Sequence, residues 1–63
     1  MKLYINITQL SKFETLYRRE EMLQRKVDRD TGIRRWTVEN SDDIGEVEQI
    51  LVRNNIKHQW DGK

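Results

Sequence analysis

Val27-Asp28-Arg29-Asp30-Thr31-Gly32-Ile33 is a polar turn closed by glycine, and the structure on either side of it decides the fold. The Asp and Thr side chains can hydrogen-bond nearby backbone, and Gly32 can take the positive φ that a bulged hairpin loop requires. On the C-terminal side, Ile33-Arg34-Arg35-Trp36-Thr37-Val38 is rich in β-branched and aromatic residues and predicts a strand. A hairpin needs a partner on each side. On the N-terminal side, Leu23, Arg25 and Val27 would share one face of that partner strand. The preferred reading therefore pairs Leu23 to Val27 antiparallel with Ile33 to Val38. The alternative is one long helix bearing Phe13, Leu16, Tyr17, Leu23 and Val27, whose apolar stripe Glu20 interrupts.

Further out, Leu3, Ile5 and Ile7 alternate with Tyr4, Asn6 and Thr8, the period of a half-buried first strand. Ser11-Lys12-Phe13-Glu14 has the spacing of a capping box at a helix start. Phe13, Leu16 and Tyr17 supply that helix with its apolar stripe. Asn40-Ser41-Asp42-Asp43 opens a second helix with a capping side chain and two carboxylates beside the positive end of its dipole. Ile44, Val47, Ile50 and Leu51 follow at helical spacing, and Asn54-Asn55 can take the left-handed conformation that ends a helix. Ile56 to Trp60 alternates as a last strand. The expected fold is a single small α+β domain over residues 1–63. Its order is a ferredoxin-like βαββαβ, with two helices on one face of a four-stranded antiparallel sheet of order 4-1-3-2.

A chain of 63 residues is close to the size at which one core only marginally outweighs the conformational entropy lost on folding. Burial in a homodimer or a complex would add stability. No cysteine is present, which excludes disulfides, thiolate zinc sites and a cysteine nucleophile. Met1 to Asn6 contains no long apolar stretch and no apolar run reaches membrane-spanning length, so the reading is a cytoplasmic protein with no membrane partner. The 12 basic and 11 acidic side chains nearly cancel to +1, which argues against an acidic mimic of DNA and gives little support for a strongly basic nucleic-acid binder. Proline and alanine are absent while Ile, Asn, Lys and Arg are plentiful. That usage fits an AT-rich genome such as a phage or mobile element.

Alternation assigns Leu3, Ile5, Ile7, Leu23, Val27, Trp36, Val38, Ile56 and Trp60 to the core-facing side of the sheet. The opposite face would then display Tyr4, Asn6, Gln24, Lys26, Arg35, Thr37, Lys57 and Gln59. Tyr4, Lys26, Arg35 and Lys57 are the candidate binding residues. A base could stack on the Tyr4 ring or the Arg35 guanidinium while Lys26 and Lys57 hold phosphate. A plain solvated face accounts for the same pattern, because antiparallel sheets commonly turn one side to water. If Trp36 is core, Arg34 must snorkel at the edge of the core and Arg35 stands free.

His58 has no second His or Cys to join it in a zinc site, so it reads as a structural or exposed histidine. Ser11 and Ser41 are better explained as helix caps than as nucleophiles. No glycine-rich phosphate loop is present, and the adjacent carboxylates are ordinary helix surface. These observations predict a protein that is not an enzyme and carries no cofactor or metal. The expected function is a small binding protein, a phage-type regulator or inhibitor that occupies a host or cognate protein. The alternative is a nucleic-acid-binding module using the open sheet face.

Overall fold

The computed structural model describes residues 1–62. Strand β1 (Lys2–Ile5) leads through a 3-10 turn at Ile7–Gln9 into helix α1 (Leu10–Arg19), followed by α2 (Glu21–Lys26). A hairpin of β2 (Asp28–Arg29) and β3 (Arg35–Thr37) comes next, then a 3-10 turn at Ser41–Asp43, helix α3 (Ile44–Arg53) and β4 (His58–Asp61). Among the described residues this is an α+β arrangement of three helices and a four-stranded sheet, ordered β2-β3-β1-β4 with every neighbouring pair antiparallel.

The segment expected as a strand at Leu23 to Val27 is helical up to Lys26, and this corrects the sequence reading. The reason lies in what each conformation would bury. A strand that turns Leu23 and Val27 inward also turns Arg25 inward, whereas helical spacing brings Leu23 and Val27 together without it. Both apolar residues are fully buried, while Arg25 stays in solvent and pairs with Glu21 one turn back at 2.6 Å. The single long helix is not formed either. Glu20 follows Phe13 by seven residues and would lie in the middle of the apolar stripe, where an unpaired carboxylate is costly. The chain instead takes an extended conformation at Glu20 (φ −96°, ψ 106°) and restarts as α2. The Gln24 side-chain amide bridges the break, donating to the carbonyls of Tyr17 (3.1 Å) and Arg18 (2.8 Å) that α1 leaves unpaired.

A hairpin does surround the glycine turn, but its N-terminal strand starts at Asp28. Asp28 pairs with Thr37 and Arg29 with Trp36, and the Asp30 amide donates to the Arg35 carbonyl at 3.0 Å. Gly32 has φ +88°, the left-handed conformation that the loop demands. At the other end of the sheet, β1 stops at Ile5 because the Asn6 side chain accepts the Thr8 amide and starts a 3-10 turn. Ile7, expected in the core, is therefore 55% exposed. The helix entered through that turn begins at Leu10, so Ser11 lies inside it and no capping box forms.

The remaining termini follow local chemistry. Asn40 Oδ1 caps the turn before α3 by accepting the Asp42 amide. Asn55 ends α3 in the left-handed conformation (φ 57°), and the Ile56 amide then reaches back to the Leu51 carbonyl at 2.9 Å. This is the six-to-one bond of a Schellman motif, which returns Ile56 to the core.

The core lies between the helices and the sheet face of Leu3, Ile5, Trp36 and Val38. Phe13, Leu16, Leu23, Val47 and Leu51 enter it from the helices. No buried polar or charged residue occurs among the described residues. Strand β4 is fastened to α3 at its edge. Trp60 donates its indole N–H to Glu48 Oε1 at 2.8 Å, and the His58 imidazole contacts the same oxygen. The Trp60 hydrogen bond, followed by that of His58, holds the Glu48 carboxyl below its ordinary pKa. His58 is thus a structural side chain that joins a strand to a helix.

Candidate functional site

The sheet face away from the helices is built by alternation. Leu3 and Ile5 turn inward, so Lys2 and Tyr4 turn outward; Trp36 turns inward, so Arg35 and Thr37 turn outward. Register then places Tyr4 directly across from Arg35 and Lys2 across from Thr37, with Gln59 on the other flank of Tyr4. The Arg35 guanidinium lies 6.0 Å from the Tyr4 ring centroid, at the outer limit of a cation–π contact. Two of the four expected site residues are therefore brought together at the centre of the sheet.

Lys57 sits just before β4, exposed, and shares a shallow depression of about 120 Å³ with Tyr4, Asn6, Arg34, His58 and Gln59. A larger depression of about 370 Å³ is lined by Tyr4, Arg34, Gln59, Trp60, Asp61 and Gly62. Tyr4 borders both. Arg34 lies along this rim with its Nε donating to the Ile5 carbonyl at 2.8 Å, which fixes its stem and leaves the guanidinium at the surface.

Lys26 is not part of this surface. It belongs to α2, where its Nζ lies 3.0 Å from both Asp43 and Glu46. Hydrogen bonds to Glu46 and then Asp43 raise its pKa above the ordinary lysine value. The expectation that Lys26 shares a face with Tyr4 depended on a strand over residues 23–27. Gln24 leaves the sheet face for the same reason.

Arg35, expected to stand free, is ion-paired. Asp30 reaches from the hairpin onto the open face, placing its Oδ2 2.7 Å from Lys2 Nζ and 3.0 Å from Arg35 Nε. The Thr37 hydroxyl adds a hydrogen bond to the same oxygen at 3.3 Å. The Arg35 contact is off the N–H axis: its buried Nε has no hydrogen-bond partner among the described residues, so the attraction is between charges alone. One carboxylate is thus shared by both central cations. The Lys2 hydrogen bond and then the Thr31 amide lower the Asp30 pKa to about 2. Asp30 is a site residue that the sequence reading missed. Its signal was the Asp-Thr-Gly turn beside a strand rich in arginine, but its position depends on the hairpin register.

Because the Asp30 pKa is depressed from 3.8 to about 2, its contribution to stability is fully present above pH ~4 and is lost as pH falls through that window. Asp30→Asn should therefore melt below the parent at neutral pH, and the gap should narrow between pH ~4 and ~2. Thermal melts of both proteins across that range check the expectation. A gap that does not change with pH would mean that the carboxylate charge contributes nothing.

Among the described residues, no group of three or more His, Cys, Asp or Glu side chains is placed to hold a metal ion, and no helix is long and apolar enough to cross a membrane. No protein-family model, curated protein or solved structure matches this chain.

Proposed function

We propose that the chain is a small non-enzymatic binding protein, a regulator or inhibitor that occupies a protein partner through the open sheet face centred on Tyr4. The observation that carries this reading is the pairing of the two central cations, Lys2 and Arg35, with Asp30. A nucleic-acid platform needs several uncompensated cations, at its centre as well as its rim, to neutralise phosphates along a strand. Here Lys2 and Arg35 at the centre share one carboxylate and Lys26 is on α2, so Arg34 and Lys57 on the rim are the cations left to the face among the described residues. The centre of the face is then an aromatic ring beside an ion-paired guanidinium, with Arg34, Lys57 and amide groups around shallow depressions, and Tyr and Arg are the side chains in which protein interfaces concentrate their energy.

Two features support the same reading. The outer edge of β4 pairs with no strand among the described residues, so a partner strand, including that of a second copy, can extend the sheet beside Tyr4. The β2-β3-β1-β4 order, read from the other edge, is 4-1-3-2, in keeping with a ferredoxin-like sheet whose uncovered side is available for contacts. Helix α2 is an addition to that plan.

The test replaces Tyr4 and Arg35 together with alanine and measures partner capture from lysate with and without nuclease. The melting temperature should change little, because surface substitutions usually move stability by no more than about 0.5 kcal/mol, and Lys2 still pairs with Asp30. Capture by the parent should survive nuclease and moderate salt, and capture by the double variant should fall sharply. Normal capture by the variant would remove the sheet face as the interface. Capture abolished by nuclease, with a steep salt dependence, would establish the nucleic-acid reading instead.

A further inference from the structure

Two basic residues that the fold leaves outside any ion pair, Lys12 and Arg19, lie on α1, away from the sheet face. Lys12, Thr15, Leu16 and Arg19 are spaced i, i+3, i+4 and i+7, which places them in one strip along α1. Together with Asn54 and Ile56 they line a cleft of about 280 Å³ beside the end of α3. Leu16 and Ile56, each 3% exposed, form its apolar floor. Lys12 and Arg19 stand on its rim, both exposed, and neither belongs to any ion pair among the described residues. No acidic side chain lines the cleft. Lys2, Lys26, Arg29 and Arg35, by contrast, are each held by a carboxylate.

We infer that this cleft docks an acidic peptide segment that inserts an apolar side chain between Lys12 and Arg19. The volume is below the ~300–1,000 Å³ of ordinary small-molecule sites and suits one or two aliphatic side chains. No aromatic residue lines it, so it lacks the stacking platform on which single-stranded nucleic acid depends. Seven residues of helix rise about 10 Å, and four residues of extended chain, which return a side chain to the same face, advance about 13 Å. Acidic residues four positions apart on an extended segment share one face and reach the two cations through their flexible side chains, and the residue midway between them faces the apolar floor. This site goes beyond the sheet-face reading and is independent of it, because α1 packs on the opposite side of the sheet.

The experiment titrates ¹⁵N-labelled protein with a capped peptide that carries two glutamates four positions apart and a leucine midway between them. Saturable amide shifts should centre on Lys12, Thr15, Arg19, Asn54 and Ile56 and leave Tyr4 and Arg35 unmoved. Lys12→Glu with Arg19→Glu should weaken binding about tenfold or more, as expected when two exposed ion pairs become repulsions. Glutamine in place of the peptide's glutamates should weaken binding to the parent protein similarly, which keeps the test decisive should the double variant fold poorly. The Tyr4 and Arg35 double variant should bind the peptide as the parent does. Shifts that are absent or lie elsewhere, or indifference to both charge changes, would overturn the proposal. So would an oligothymidine strand that shifts the same amides at lower concentration.

Discussion

Trp36→Ala should leave the chain largely unfolded near room temperature. The ring is 1% exposed and stands edge-on to Phe13 with centroids 4.8 Å apart and tilted against Tyr17 at 4.9 Å. The Arg29 guanidinium lies 4.7 Å over it, itself held by Glu14 on α1 at 2.7 Å. One side chain thus connects β3, β2 and α1. Truncation of a buried aromatic costs about 3–5 kcal/mol, and a domain of this size has roughly 3–9 kcal/mol in total at the usual stability per residue. Circular dichroism melts would show the transition lost or shifted far down. Trp36→Phe should be milder than its volume loss suggests. The indole N–H has no hydrogen-bond partner among the described residues, and its removal relieves a desolvation penalty of about 1–3 kcal/mol. A Trp36→Ala protein that melts within a few degrees of the parent would place the ring outside the core.

Leu23→Ala is the second large effect, expected at about 2–5 kcal/mol because the side chain is fully buried and a cavity would remain. Its companion, Arg25→Ala, should stay within about 0.5 kcal/mol of the parent. Arg25 is exposed and loses only the ion pair to Glu21, a loss that the high helix propensity of alanine partly offsets. The pair of variants distinguishes the two conformations of this segment. On a strand Arg25 would share the inward face with Leu23 and Val27, and its truncation would be felt with theirs. Urea unfolding midpoints of the two variants decide, and comparable losses in both would remove α2.

The alternations that set the two sheet faces were legible in the sequence, since Leu3, Ile5, Trp36 and Val38 are all buried. So were the left-handed positions Gly32 and Asn55 and the Asn40 cap before α3. These features depend on residues a few positions apart, through side-chain period, backbone sterics or a capping bond. Tyr4 and Arg35 emerged together for the same reason.

Residues 20–28 were not legible in this way. Leu23 and Val27 satisfy a strand or a helix equally well, and the choice turned on keeping Arg25 and Glu20 out of a core assembled from distant segments. Once α2 formed, Lys26 left the sheet for Asp43 and Glu46, and β2 began at Asp28. That register carried Asp30 onto the open face beside Lys2, 28 positions away in the chain. The sequence by itself determined which local conformations were available and which strand faces were apolar. Only the tertiary structure decided how charges pair across the sheet, because a two-residue strand has no register until β3 supplies one.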